Sequence, residues 1–258
     1  MTILTRLNPP PAGFGRCDRC AYRDTSGTVP ICRECANRDI DPLPDGGCDV
    51  CQLPISGECG NPICNNYPER FFMWNRALGY RRGRLQDTIA WYKGASQQYW
   101  AVVFARLLLG YLDAHSETFT DFDLIVPSPT YIAKTGDGRR WDHIGLILDI
   151  ANKMAEGRWP FDGSPRVLKK TAYTTPMHTK RSWKDRWKVA ENEVYPAIEL
   201  VDPSRVKGKQ VLIFEDVFTD GLTINQIART LIEEGDAHSV ASVTLARQPY
   251  TPKPAPEA

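Results

Sequence analysis

Long hydrophobic runs are missing from this sequence. No stretch approaches the ~18 unbroken apolar residues of a membrane-spanning helix, so none is expected. The opening residues, Met1 to Pro11, have one Arg and no apolar core of signal-peptide length, so a cytoplasmic protein is expected. Charge of one sign is also lacking: 32 Lys and Arg face 31 Asp and Glu. That excludes a polycationic nucleic-acid binder but leaves room for a local basic patch. Cysteine is absent after position 64. A disulfide scaffold would spread its Cys through the fold it staples and would need an oxidising compartment, so this distribution argues against that class. At 258 residues the chain fits one large domain or two smaller ones.

What is present before residue 65 is eight Cys in four close pairs: Cys17 and Cys20, Cys32 and Cys35, Cys48 and Cys51, Cys59 and Cys64. A CxxC turn aims two thiolates at one point, and two such turns make a four-thiolate tetrahedral zinc site. Two structural Zn2+ per chain are expected. A sequential pairing (17/20/32/35 and 48/51/59/64) is simplest; an interleaved one (17/20 with 48/51, 32/35 with 59/64) also fits the spacing. Iron–sulfur clusters usually show denser spacing. The four His, at 115, 143, 178 and 238, lie outside this segment, which argues against a catalytic zinc. The segment has few large apolar residues, so metal binding would supply its folding free energy.

Further along, apolar periodicity predicts helices over 85–93, 99–112, 144–154 (with Asp142 as N-cap) and 223–234. Short apolar runs predict strands at 123–127, 208–216 and 240–246, with weaker ones at 167–168 and 198–201. Alternating strands and helices from 123 to 246 imply a parallel sheet covered by helices. The expected division is a double zinc-knuckle domain at 13–66, a helical connection at 67–122 and an α/β domain at 123–248. The tail, 249–258, has four Pro in ten residues and is expected to be disordered.

The sharpest motif is Val211-Leu-Ile-Phe-Glu215-Asp216-Val-Phe-Thr219-Asp220-Gly221-Leu222-Thr223. A buried strand ends in paired carboxylates, and a short loop with Gly and hydroxyls opens a helix. Free N–H groups at that helix N-terminus suit a phosphate. Two carboxylates beside it suit ribose hydroxyls, directly or through Mg2+. The plainer alternative is a strand end with solvated acids and a helix capped by Thr219 or Asp220.

Residues 211–223 resemble the phosphoribosyl pyrophosphate (PRPP) signature of type I phosphoribosyltransferases. The order of parts around it is similar to the ComF (competence protein F-like) family: paired CxxC knuckles, Leu78-Gly-Tyr80, a helix ending near Trp91-Tyr-Lys93-Gly94, a longer helix, and Asp123-Leu-Ile-Val-Pro-Ser-Pro129. The resemblance implies a type I phosphoribosyltransferase-like parallel sheet flanked by helices, with PRPP and Mg2+ as ligands. It assigns Glu215 and Asp216 to the ribose and Thr219, Asp220, Gly221, Leu222 and Thr223 to the 5-phosphate. Ser128, Pro129 and Thr130, with Lys169 and Lys170, fall to the pyrophosphate, and 171–187 to a mobile hood. Asp220 stands where the family's loop usually carries Thr or Ser.

Between 166 and 188 eight Lys and Arg surround Trp183 and Trp187. Such a stretch fits a pyrophosphate-covering loop. It also fits single-stranded DNA, with the rings stacking on bases, in which case the chain would be a non-catalytic adaptor related to DNA uptake. The two Trp are four apart and equally fit one buried helical stripe. His143 and His178 are candidate acid–base groups.

Overall fold

A computed structural model describes residues 40–44, 46–65, 69–94, 98, 100–135 and 139–249. Cys17, Cys20, Cys32 and Cys35, and the tail from residue 250, lie outside the described residues.

Among these residues a four-stranded parallel sheet forms, in the order β1 (Asn75–Tyr80), β6 (Ser239–Arg247), β5 (Gln210–Phe218), β2 (Leu124–Pro127). Val211 pairs with Leu124 on one side and with Val240 on the other. With both neighbours occupied, β5 is interior, which is why its sequence is an almost continuous apolar run. The pleat divides that run between two cores. Leu212 and Phe214 face α1 (Gly83–Lys93), α2 (Trp100–Ala114) and α3 (His143–Ala155). Val211 and Ile213 face α5 (Leu222–Glu233), together with Cys51, Leu53 and Ile63 of the cysteine segment. Alternate residues of one strand thus hold a layer on each side.

The connection expected over 67–122 supplies an edge strand and two core helices to this sheet. β1 reads Asn-Arg-Ala-Leu-Gly-Tyr, too mixed to announce a strand; pairing with β6 makes it one. The cysteine segment runs beside it: Asn75 N donates to Val50 O at 2.7 Å and Tyr80 N to Asp41 O at 2.7 Å. Asp142 caps α3 as expected, accepting from Gly145 N at 2.9 Å.

The two weaker strands do not join the main sheet. β3 (Leu168–Lys170) and β4 (Ile198–Leu200) pair antiparallel as a separate ribbon. Each has three residues and one buried end, too little apolar surface for a central strand. Between them lies the segment 171–197, which includes the 171–187 expected as a hood and is partly helical: α4 (Trp183–Val189) carries both Trp. No helix among the described residues is long and apolar enough to cross a membrane.

Candidate functional site

β5 delivers Glu215 and Asp216 to the carboxyl end of the sheet, where open α/β folds bind ligands. Asp216 is buried, at 5% exposure. Its Oδ2 receives Lys93 Nζ at 2.6 Å and His143 Nε2 at 3.0 Å. Burial by itself would push this carboxyl up; the Lys93 ammonium and the His143 hydrogen bond outweigh it and hold it well below the usual carboxylate range. His143 meets this carboxylate through Nε2. Its Nδ1 is buried without a partner among the described residues.

Glu215 is half-buried and differs from its neighbour in every respect. It forms no ion pair among the described residues. Burial, then the adjacent Asp216 charge, raise its pKa, while the Ser128 hydroxyl hydrogen-bonds to it and opposes the shift. It lines a cavity of about 410 Å³ with Ser128, Pro129, Thr130, Arg139, Lys170 and Thr223. An adjoining cavity brings Arg81 and Lys93 to the same two acids. Burial lowers the Lys170 pKa, with the Glu215 and Glu193 charges pulling it back up.

The loop after β5 turns sharply at Gly221, whose φ of 86° lies in the left-handed region. A Cβ there would sit 2.7 Å from Phe218 Cζ, so glycine answers both the backbone and the packing. Gly221 itself takes the N-cap position of α5. Asp220 accepts from Leu222 N at 3.3 Å and, through its other oxygen, from Arg186 Nε of α4 at 2.7 Å. Thr219, Asp220, Gly221, Leu222 and Thr223 line a third cavity of about 250 Å³ with Arg186, Lys180 and His178.

Of the residues singled out from sequence, Glu215, Asp216, 219–223, Ser128, Pro129, Thr130 and Lys170 come together at this end of the sheet. Lys169 is exposed, 3.8 Å from Glu199, and lines not the Glu215 cavity but a neighbouring one, with Pro129, Thr130 and Lys170. Trp183 and Trp187 lie 5.8 Å apart with their rings tilted by 39° and pack half-buried against the α5 core, the arrangement of the helical stripe. Sequence reasoning gave no role to Lys93, Arg81 or Arg139, and took Arg186 only as one charge of the 166–188 basic stretch. A Lys closing α1 was visible as a helix end, but nothing local tells that the end faces Asp216. Arg81 follows an edge strand that sequence did not reveal.

Cys48, Cys51, Cys59 and Cys64 place their sulfurs within 4.8 Å of one another, all as free thiols. Four Zn–S bonds of ~2.3 Å set tetrahedral edges of ~3.8 Å, and Cys51 and Cys59 Sγ are 3.5 Å apart. A hydrogen bond from the Cys64 thiol, opposed by burial and helped by the Arg247 charge, pulls the Cys51 thiol down to about 4. Burial pushes Cys59 up to about 12. The donor set and its spacing could hold a zinc ion, and the closeness of these four accords with the sequential pairing.

Residues 170–256 match the family model described as phosphoribosyl transferase domain. The matched stretch holds Lys170, the acid pair and the 219–223 loop. With the mostly parallel sheet flanked by helices, it supports a type I phosphoribosyltransferase-like α/β protein carrying a cysteine knuckle at its N-terminal side. No curated protein matches the chain.

Proposed function

We propose that the chain is a ComF-like phosphoribosyltransferase-family protein that binds Mg-PRPP and transfers the phosphoribosyl group to a nitrogen nucleophile. The observation carrying this reading is charge placement around one cavity system. A helix N-terminus and hydroxyl loop lie at one side, an ion-pair-free carboxylate in the middle, and Lys170 and Arg139 at the other. PRPP has the complementary order of 5-phosphate, ribose diol and pyrophosphate.

In this reading the N–H groups of 221–223 and the Thr219 and Thr223 hydroxyls take the 5-phosphate. Glu215 takes the ribose hydroxyls. Asp216, already bound twice, fixes Lys93 beside the reacting carbon. The half-buried Glu215 also fits Mg2+, whose role when bound is to neutralise part of the pyrophosphate charge. The C1–O bond breaks, pyrophosphate leaves with the electron pair, and the nitrogen lone pair closes on C1. Glu215 and Asp216 stabilise the positive charge on the sugar; Lys170, Arg139 and the Ser128–Thr130 segment stabilise the departing oxygens. Glu215, with its raised pKa, is placed to accept the proton that the nitrogen loses.

Calorimetry with Mg-PRPP and with inorganic phosphate tests this on the wild type, Glu215→Gln and Glu215→Ala/Asp216→Ala. The acid variants should bind PRPP at least about 10-fold more weakly and phosphate nearly as well. Equal loss for both ligands, or no PRPP binding by the wild type, removes the assignment.

A further inference from the structure

The Asp220–Arg186 pair joins the hood to the phosphate loop, and its geometry resembles that of a bound ligand. One carboxylate oxygen is held by Arg186 Nε at 2.7 Å and the other by Leu222 N at 3.3 Å. These are two donors a phosphate at this loop would use. Arg186 comes from α4, and its Nη1 is steadied by Lys180 O at 3.3 Å. The Asp220 backbone is pinned separately, its carbonyl accepting from Asn61 Nδ2 at 3.3 Å. The side chain can therefore rotate out without the loop moving. Both partners border the 250 Å³ cavity of the loop, and a guanidinium fork binds carboxylate and phosphate in the same manner, the dianion more strongly.

We propose that Asp220 is an internal stand-in for phosphate, and that an incoming phosphomonoester takes over Arg186 Nε and the Leu222 N–H from it. Arg186 is then a phosphate ligand delivered by the hood, and Asp220 the competitor that sets the threshold of binding. This rests on the reading of 219–223 as the phosphate site. It also accounts for an acid at a position where a bare negative charge would repel the ligand: the charge is neutralised by Arg186 until a stronger anion replaces it.

The test is inorganic phosphate titrated by calorimetry into the full chain and three variants. Asp220→Asn keeps a capping oxygen but frees Arg186, and should tighten binding about 3- to 30-fold. Arg186→Gln should weaken it about 10- to 100-fold. Thr223→Ala marks the loop and should also weaken it. If Thr223→Ala weakens binding while Arg186→Gln does not, the loop holds phosphate and the exchange is wrong. If Thr223→Ala has no effect, phosphate lies elsewhere and the site reading falls with the proposal. Should Arg186→Gln fail to fold, Asp220→Asn decides alone: unchanged or weaker binding overturns the exchange.

Discussion

The Arg247 guanidinium donates to the Cys51 carbonyl at 2.9 Å. The same group, 2% exposed, donates to Thr219 O at 2.6 Å and to Phe218 O at 3.2 Å. One buried cation thus joins the cysteine cluster to the start of the 219–223 loop, and Asn61, two residues after Cys59, holds the loop again at Asp220 O. Zinc removal should be felt at both ends of this link. Elemental analysis should give two Zn2+ per chain, and Cys17→Ser should cost one of them while leaving the 48/51/59/64 site loaded. Chelation should raise amide exchange first over 46–65 and then at 219–221, with 211–216 still protected. Zero metal would sink the zinc reading; exchange confined to 46–65 would show that Arg247 transmits nothing.

The Lys93–Asp216 pair makes a pH-dependent prediction. Asp216 has a folded pKa below its unfolded ~3.9. Its contribution to stability is therefore fully present above ~3.9 and lost as pH falls through the folded value. Lys93→Met leaves a buried carboxylate with His143 alone, and burial then drives its pKa up. The variant should be less stable by about 2–3 kcal/mol at pH 7, below the full range for buried pairs because a quarter of Lys93 reaches solvent. The deficit should narrow toward pH 4, where Asp216 can take a proton. Denaturant unfolding at several pH values measures this, and a deficit independent of pH would mean that packing, not charge, is what Lys93 supplies.

The parts legible in the sequence were those written in local pattern. The β5 run, the Asp142 cap, the paired Cys turns and the acid pair each follow from neighbours within a few residues. Lys93 and Asp216 are far apart in the chain and meet only because α1 packs on the face of the sheet that β5 crosses. The same holds for Arg186 and Asp220: the basic stretch was visible, but which of its charges turns inward depends on α4 docking through Trp183 and Trp187. β1 lay hidden for a related reason, since a polar edge strand acquires its identity from β6. Lys169 and Lys170 could not be told apart without knowing which side of β3 faces Glu215; the period-two alternation of a strand guarantees that only one of them does.

Lys170 offers a check on the proposed pyrophosphate end of the site that is independent of the 219–223 loop. It is half-buried beside Glu215, and burial lowers its pKa from the ordinary 10.5. A lysine attracts pyrophosphate only below its pKa, where it is charged. Pyrophosphate affinity of the wild type should therefore fall as pH rises through this lowered value, earlier than an ordinary lysine would allow. Arginine keeps its charge past pH 12, so Lys170→Arg should hold its affinity over the same range. The ratio of the two affinities should drift by about 10- to 100-fold in favour of the variant between pH 7 and the alkaline limit, the worth of one charge-assisted hydrogen bond. Taking the ratio cancels the ionisation of pyrophosphate itself, which both proteins share. Lys169→Ala is the comparison, since that side chain is exposed near Glu199 and outside the cavity that Glu215 lines, and it should change affinity less than Lys170→Ala. A constant ratio across the range, or an effect of Lys169→Ala equal to that of Lys170→Ala, would mean that pyrophosphate does not sit against Lys170.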